Sequence, residues 1–135
     1  MLYAEATRVP VASTRASIET MLRKAGATRI VLMDEPTEAL AMFMLAGRLI
    51  KVRVAMPPKV TDQRRRSLWR ALMLVIKAKR ETVEAGIETV EEAWLAHTVM
   101  PDGQRMAEWI EPQLKIAYQA GRMPEHPLML QGPAA

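Results

Sequence analysis

The sequence predicts an α+β fold, and three observations support this class. A short amphipathic segment ends at Gly26, three aliphatic segments separated by turn residues follow it, and a long amphipathic segment begins after Pro57 and Pro58. We therefore expect a short N-terminal helix, a three-stranded antiparallel meander, then a long helix and a C-terminal helical hairpin. Residues 1–122 are predicted to form a single domain, and residues 123–135 a Pro-rich C-terminal tail.

The first helix is predicted from its apolar spacing and its two ends. Ile18, Met21 and Leu22 fall at i, i+3 and i+4, which places them on one face. Ser13 or Thr14 is expected to cap the N-terminus with its hydroxyl. The helix should stop at the glycine that follows Ala25, the usual place for a C-terminal glycine.

Three segments rich in aliphatic residues are predicted to pair as the meander: Arg29–Met33, Ala39–Leu45 and Leu49–Met56. The third alternates between apolar and polar side chains, as a half-buried strand does. Two registers remain open for the second hairpin, because the second strand is apolar on both sides. A two-residue turn pairs Phe43 with Ile50, whereas a bulged turn pairs Met42 with Ile50.

The outward face of this sheet is expected to mix bulky apolar groups with the cations Lys51 and Arg53. Such a surface suits stacked bases and phosphates in proteins that bind single strands. The alternative is that a helix or a second subunit covers the face, because exposed sheets rarely present large apolar areas.

The long helix is predicted to begin with Asp62 as N-cap and to end at Gly86. At 100° per residue its apolar arc contains Leu68, Ala71, Leu72, Val75, Ile76 and Val83. A second arc, the cationic flank, contains Arg66, Arg70, Met73, Lys77 and Arg80. Trp69 lies between the two arcs, where it would either pack at the core edge or stack on a base.

Three consecutive arginines, Arg64, Arg65 and Arg66, open this long helix. Cations are unfavourable at a helix N-terminus by about 0.3–1 kcal/mol each, because the helix dipole is positive there. An external anion would explain their position, and a nucleic-acid backbone is the most plausible one.

The remaining residues predict further helices. Thr89 and Glu92 fit a capping box, so a third helix should start at about Val90 and stop before the turn at 100–103. Residues 105–110 and 113–120 then form either a helix pair or one helix kinked at Pro112.

Composition narrows the range of functions. The net charge is +4 and the sequence pI is about 9.8, which favours an acidic partner. Because the chain contains no cysteine, disulfides, thiolate metal sites and cysteine nucleophiles are excluded. No apolar run approaches the roughly 20 residues that span a bilayer, and the N-terminus lacks the order of a signal peptide. We expect no membrane association and a cytoplasmic location.

Nothing in the residue inventory predicts an enzyme, a metal or a cofactor. The two histidines, His97 and His126, are far apart in the chain, and no zinc-protease, nucleophile-elbow or P-loop motif occurs. Carboxylates could gather near His97 in a helical hairpin as a hard-metal site. Ordinary helix-surface acids explain the same residues better: Glu91, Glu92, Asp102, Glu108 and Glu111.

Several runs in the C-terminal half resemble small, largely uncharacterised basic proteins of tailed bacteriophages and prophages. The runs are Val75-Ile76-Lys77-Ala78-Lys79, Val83-Glu84-Ala85-Gly86-Ile87-Glu88-Thr89, Leu95-Ala96-His97, Pro101-Asp102-Gly103 and Glu108-Trp109. The resemblance covers most of residues 14–124, and its motifs are structural rather than catalytic. It implies a phage protein in the host cytoplasm, of the kind that handles DNA in replication or recombination.

The sequence thus predicts a non-enzymatic nucleic-acid-binding protein that prefers single-stranded DNA, since no helix-turn-helix can be laid out. The predicted binding residues are Arg64, Arg65, Arg66, Arg70, Lys77 and Arg80, with Lys51 and Arg53 extending the track and Trp69 stacking on bases. The alternative is a homo-oligomeric interaction module, or a phage factor that docks on a host protein. Eleven methionines favour this alternative, because flexible thioethers suit adaptable interfaces.

Overall fold

A computed structural model describes residues 7–124 of the chain, so the predictions for the first six residues and for most of the Pro-rich tail lie outside the described part. The elements, in chain order, are α1 (Val11–Lys24), β1 (Thr28–Asp34), β2 (Glu38–Leu45), β3 (Arg48–Ala55), α2 (Asp62–Glu84), α3 (Val90–Ala93), a 3-10 turn (Leu95–His97) and α4 (Met106–Ala120). The predicted α+β class is therefore confirmed: a helix, a three-stranded antiparallel sheet, then helices.

Helix α1 starts two to three residues earlier than its predicted cap. Pro10 occupies the N-cap position, and no side chain caps the first turn. Thr14 is 1% exposed and faces the core with Ile18 and Leu22, so the prediction of a Ser13 or Thr14 cap was wrong. The C-terminal prediction was right, since Gly26 follows with φ of +93°, which a residue without Cβ adopts most readily.

The sheet order β1-β2-β3 places the most apolar strand in the centre. Phe43 pairs with Ile50, which settles the register in favour of the two-residue turn. Ala46 and Gly47 both have positive φ, 51° and 76°, as a type I′ turn requires. This register puts the alternating apolar residues of β3 and of β2 on the same face.

That inner face of the sheet packs against α1 and α2. Its buried residues form one cluster with buried residues of both helices: Ala39, Ala41, Phe43, Ile50 and Val52 from the sheet, and Ile18, Leu22, Trp69, Leu72, Met73 and Ile76 from the helices. Since β-strand side chains alternate, the intervening residues lie on the outer face. Leu40 is buried there, while Val31 and Met33 are 44% and 37% exposed.

Helix α2 begins one residue earlier than predicted, because its N-cap precedes Asp62. Thr61 is the N-cap, and its hydroxyl accepts from the backbone N–H of Arg64 at 3.0 Å, while Asp62 lies in the first turn. The buried side is also rotated relative to the predicted arc. Trp69 and Met73 are buried, whereas Val75 is 42% exposed. The reason is that α1 packs on the side of α2 that lies between the predicted apolar arc and the cationic flank.

The segment between α2 and α4 is less helical than predicted. The capping box is present, with Thr89 and Glu92 each accepting from the other's backbone N–H, and this hydrogen bonding holds the pKa of Glu92 below its usual value. The α-helix nevertheless ends at Ala93, and a 3-10 turn follows. Thr98 then bridges to Ile50 at the edge of β3, so the chain returns to the sheet instead of continuing a helix.

Helix α4 is one continuous helix across Pro112, which settles the second open alternative. At its start the Glu108 carboxylate accepts from the backbone N–H of Arg105 at 3.4 Å and from Arg105 Nε at 2.9 Å, and Gly121 ends it with φ of +67°. None of its residues is buried. Within residues 7–124, no helix is long and apolar enough to cross a membrane.

Candidate nucleic-acid interface

Arg65 is held by its own chain and is not available as a free phosphate contact. Its Nη1 lies 2.5 Å from Asp34 Oδ1 and 3.0 Å from the backbone oxygen of Glu35, and its Nη2 lies 3.4 Å from that of Pro36. The Arg65 and Asp34 side chains are only 19% and 24% exposed. The guanidinium therefore fastens the β1–β2 turn to the start of α2, and the prediction that Arg65 binds phosphate was wrong for this geometry.

Trp69 is fully buried, with 0% of its surface exposed, so the prediction that it stacks on a base was also wrong. Its Nε1 donates to Asp34 Oδ1 at 3.0 Å. The guanidinium of Arg15 lies over the ring at 5.7 Å and donates to the backbone oxygen of Leu32 at 2.8 Å. The ring thus makes a cation–π contact inside the protein, and a nucleic-acid base has no access to it.

The other two arginines of the triplet differ from Arg65 and from each other. Arg64 is exposed, and within the described residues its side chain forms no hydrogen bond or ion pair. Arg66 is half-buried and donates from Nη2 to Gln63 Oε1 at 2.8 Å, while its Nε is buried without a partner among the described residues. The triplet is therefore not one cationic patch, because its three side chains leave α2 in different directions.

The rest of the cationic flank is partly engaged within α2. Arg80 donates from Nε to Glu84 Oε1 at 2.9 Å, and Arg70 approaches the Met73 sulfur at 3.9 Å. Lys77 is exposed, and no ion pair or hydrogen bond joins it to another described residue. Lys77 and Arg80 are thus the flank residues best placed to meet an external anion, since a surface pair such as Arg80 with Glu84 is weak.

A groove between α1 and α2 adds cationic and hydroxyl groups that sequence reasoning missed. It has a volume of about 350 Å³ and is lined by Ala16, Ser17, Thr20, Met21 and Lys24 of α1 and by Arg80 of α2. Ser17, Thr20 and Lys24 are spaced i, i+3 and i+7, so they share one side of α1. That spacing was visible in the sequence, but the nearness of Arg80 follows only from helix packing.

Lys51 and Arg53 do not extend this surface. They alternate with buried Ile50 and Val52 and therefore lie on the outer face of the sheet, whereas α1 and α2 cover the inner face. Acids also lie beside them. Arg53 forms an ion pair with Glu38 that raises the pKa of Arg53, and the pKa of Glu108 is lowered mainly by Arg105 and to a smaller degree by Lys51. The predicted continuous track across sheet and helix was wrong.

His97 has cations rather than carboxylates as its close charged neighbours. Burial lowers the pKa of His97, and the positive charges of Lys79 and Arg105 lower it further. Lys79 is held nearby, since its Nζ donates to the backbone oxygen of Ala93 at 2.6 Å and lies 5.5 Å from the centre of the Trp94 ring. The part of the chain that the structure describes contains no group of three or more residues suited to hold a metal ion.

The lowered pKa of His97 predicts a pH dependence of stability. Between the lowered folded value and the unfolded value of about 6.5, the unfolded chain binds a proton that the folded chain resists. The contribution of His97 to the free energy of unfolding should therefore be greatest above pH 6.5. It should fall on acidification by at most about 1.4 kcal/mol per pH unit. Urea unfolding at pH 7.5, 6.5 and 5.5 measures this slope, which should flatten in His97→Gln.

No protein-family model matches the chain, and no curated protein or solved structure matches it significantly.

Proposed function

We propose that this is a non-enzymatic nucleic-acid-binding protein, with single-stranded DNA as the preferred partner, that acts in phage DNA replication or recombination in the host cytoplasm. The observation that supports the proposal most directly is the groove between α1 and α2, which combines Lys24, Arg80 and two hydroxyl groups. Exposed Lys77 lies one turn of α2 before Arg80. Hydroxyl and cationic groups of this kind contact phosphate oxygens in nucleic-acid complexes.

The proposed contacts recognise charge and not base identity. Trp69 is buried, so the basic surface has no described aromatic side chain on which a base can stack. Binding then rests on Lys24, Arg70, Lys77 and Arg80, and such binding releases counterions from the nucleic acid. With about four phosphate contacts to a single strand, affinity should fall roughly 50-fold between 50 and 200 mM salt.

Titration of labelled oligonucleotides tests the proposal. Single-stranded DNA, duplex DNA and RNA of equal length are compared by fluorescence anisotropy at 50, 100 and 200 mM salt. We expect binding at 50 mM with the salt dependence above, and the tightest binding for single-stranded DNA. No binding to any of the three at 50 mM, or a flat salt response, contradicts the proposal.

Charge-reversal variants locate the binding surface. Lys24→Glu should weaken binding by about tenfold and reduce the salt slope for single-stranded DNA by about 0.7, because it removes one phosphate contact and adds repulsion. Lys59→Glu is the matched control, since it changes net charge equally in the exposed segment that precedes α2. Equal weakening in the two variants would show that net charge, and not the groove, determines affinity.

The homo-oligomer expected from the sequence is proposed as part of the same function. Repeated subunits would align several grooves along one strand, which raises the apparent affinity of a small protein without any new type of contact.

A further inference from the structure

Helix α4 exposes several large apolar side chains. It has no buried residue, and three of its large apolar side chains are open to solvent: Leu114 at 42%, Ile116 at 65% and Tyr118 at 85%. Its packing within the described chain is limited mainly to the 3-10 turn of residues 95–97. A helix of 15 residues is marginally stable by itself and relies on an amphipathic face that packs against something.

Four apolar residues of α4 form a stripe along one side of the helix. Ile110, Leu114, Ala117 and Tyr118 are spaced i, i+4, i+7 and i+8, the pattern of a helix that packs lengthwise against another helix. The C-terminal half of this stripe lines an open groove that continues past the helix end to Gly121 and Met123. The small side chain of Ala117 allows a second helix to approach closely.

Two opposite charges flank the stripe on the same side. Glu111 and Lys115 lie about 60° and 100° around the helix from Leu114. Both are exposed, and neither forms an ion pair with a described residue. In an antiparallel helix pair with a two-fold axis, this side of one helix faces the same side of the other, which runs in the opposite direction. Glu111 of one copy then lies beside Lys115 of the second copy, twice per pair.

We propose that α4 is a homodimer interface, in which the apolar stripe (Ile110, Leu114, Ala117 and Tyr118) packs antiparallel against the same stripe of a second copy of this chain. The occupant is a second copy because the stripe is self-complementary: the two-fold axis that pairs each flanking charge with its opposite lies within about 1.5 Å, one residue of helix rise, of the centre of the apolar stripe. A parallel pair would instead bring Glu111 near Gln113, which offers no charge. The proposal names the interface of the oligomer proposed above, and it does not depend on nucleic-acid binding.

Sedimentation equilibrium of the full chain tests the interface through two matched variants. Leu114→Asp places a charge at the centre of the stripe and should weaken dimerisation at least about 100-fold, because both copies carry the change. Ile116→Asp makes the same chemical change at a more exposed position on the opposite side of α4, and the dimer should persist. Both positions are exposed in the single chain, so circular dichroism should show a native helix content for each.

A charge-exchange experiment tests the antiparallel pairing itself. Glu111→Lys alone and Lys115→Glu alone should each weaken dimerisation by on the order of tenfold, because every cross-pair becomes repulsive. An equimolar mixture of the two variants should form a heterodimer more tightly than either forms a homodimer. Repulsion within each helix is unchanged by mixing, so this gain reports only pairs between copies.

Three outcomes would overturn the proposal. The wild-type chain could remain a monomer at about 100 μM, a concentration at which even a weak dimer should form. Leu114→Asp could remain as dimeric as Ile116→Asp, which would place the interface elsewhere, for example on the outer face of the sheet. The mixture of charge variants could dimerise no better than its components, which would exclude the antiparallel pairing. Each outcome leaves the oligonucleotide titrations interpretable, because binding and self-association are measured separately.

Discussion

Replacing Trp69 with alanine is expected to lower the free energy of unfolding by about 3–5 kcal/mol, the usual cost of removing a large buried aromatic side chain. The ring is 0% exposed and belongs to the cluster that joins α1, α2 and the sheet. The substitution also removes the hydrogen bond to Asp34 and the surface on which Arg15 rests. Urea denaturation followed by circular dichroism measures the loss.

Two further variants separate packing from hydrogen bonding at this position. Trp69→Phe keeps most of the ring but cannot donate to Asp34, so it should cost less than half as much as Trp69→Ala. Trp109→Ala is a control of equal size on α4, where the ring is only half-buried, and it should also be milder. If Trp69→Phe stayed folded and stable but lost oligonucleotide binding, the indole ring would take part in binding directly. That result would contradict the conclusion drawn from its burial.

Replacing Arg65 with alanine is expected to destabilise the protein by about 1–3 kcal/mol, although a cation at a helix N-terminus is usually unfavourable. The reason is that Arg65 bridges Asp34 and two backbone oxygens of the β1–β2 turn. Arg64→Ala should change stability by no more than about 0.5 kcal/mol, because that side chain is exposed. Thermal unfolding of the two variants under one set of conditions makes the comparison.

Arg65→Lys provides a finer test of this bridge. A lysine keeps the positive charge but has a single nitrogen, so it cannot contact the carboxylate and the turn oxygens together as the guanidinium does. We expect a stability between that of the wild type and Arg65→Ala. Equal stability of the alanine and wild-type proteins would mean that the bridge contributes nothing, and the arginine triplet would then again require an external anion as its explanation.

The triplet shows why a cluster in sequence need not be a cluster in space. Residues 64, 65 and 66 are separated by about 100° each around a helix, so adjacent side chains point to different surroundings. Arg65 points to Asp34, which lies at the end of β1 and 31 positions earlier in the chain. The local sequence predicts the helix and the direction in which each of its side chains points, but it does not predict where that aspartate lies.

The candidate binding surface in the structure differs from the one predicted from sequence for the same reason. Sequence patterns grouped Lys51 and Arg53 with the helix cations because all are basic, and the sheet then separated them onto its outer face. Lys24 was not recognised as a candidate, since a single lysine near a helix C-terminus is ordinary there. It became one when the packing of α1 beside α2 placed it in the same groove as Arg80.

The sequence by itself determined the class, order and approximate limits of the elements, because turn residues, apolar periodicity and the capping box of Thr89 and Glu92 are local signals. It left the hairpin register and the continuity of α4 open, and only the tertiary structure decided them. The tertiary structure also decided that Trp69 is buried and that Arg65 forms an ion pair, because burial and ion pairing depend on residues distant in the chain. Local preference selects helix or strand, whereas the partner of each side chain is selected by how those helices and strands pack.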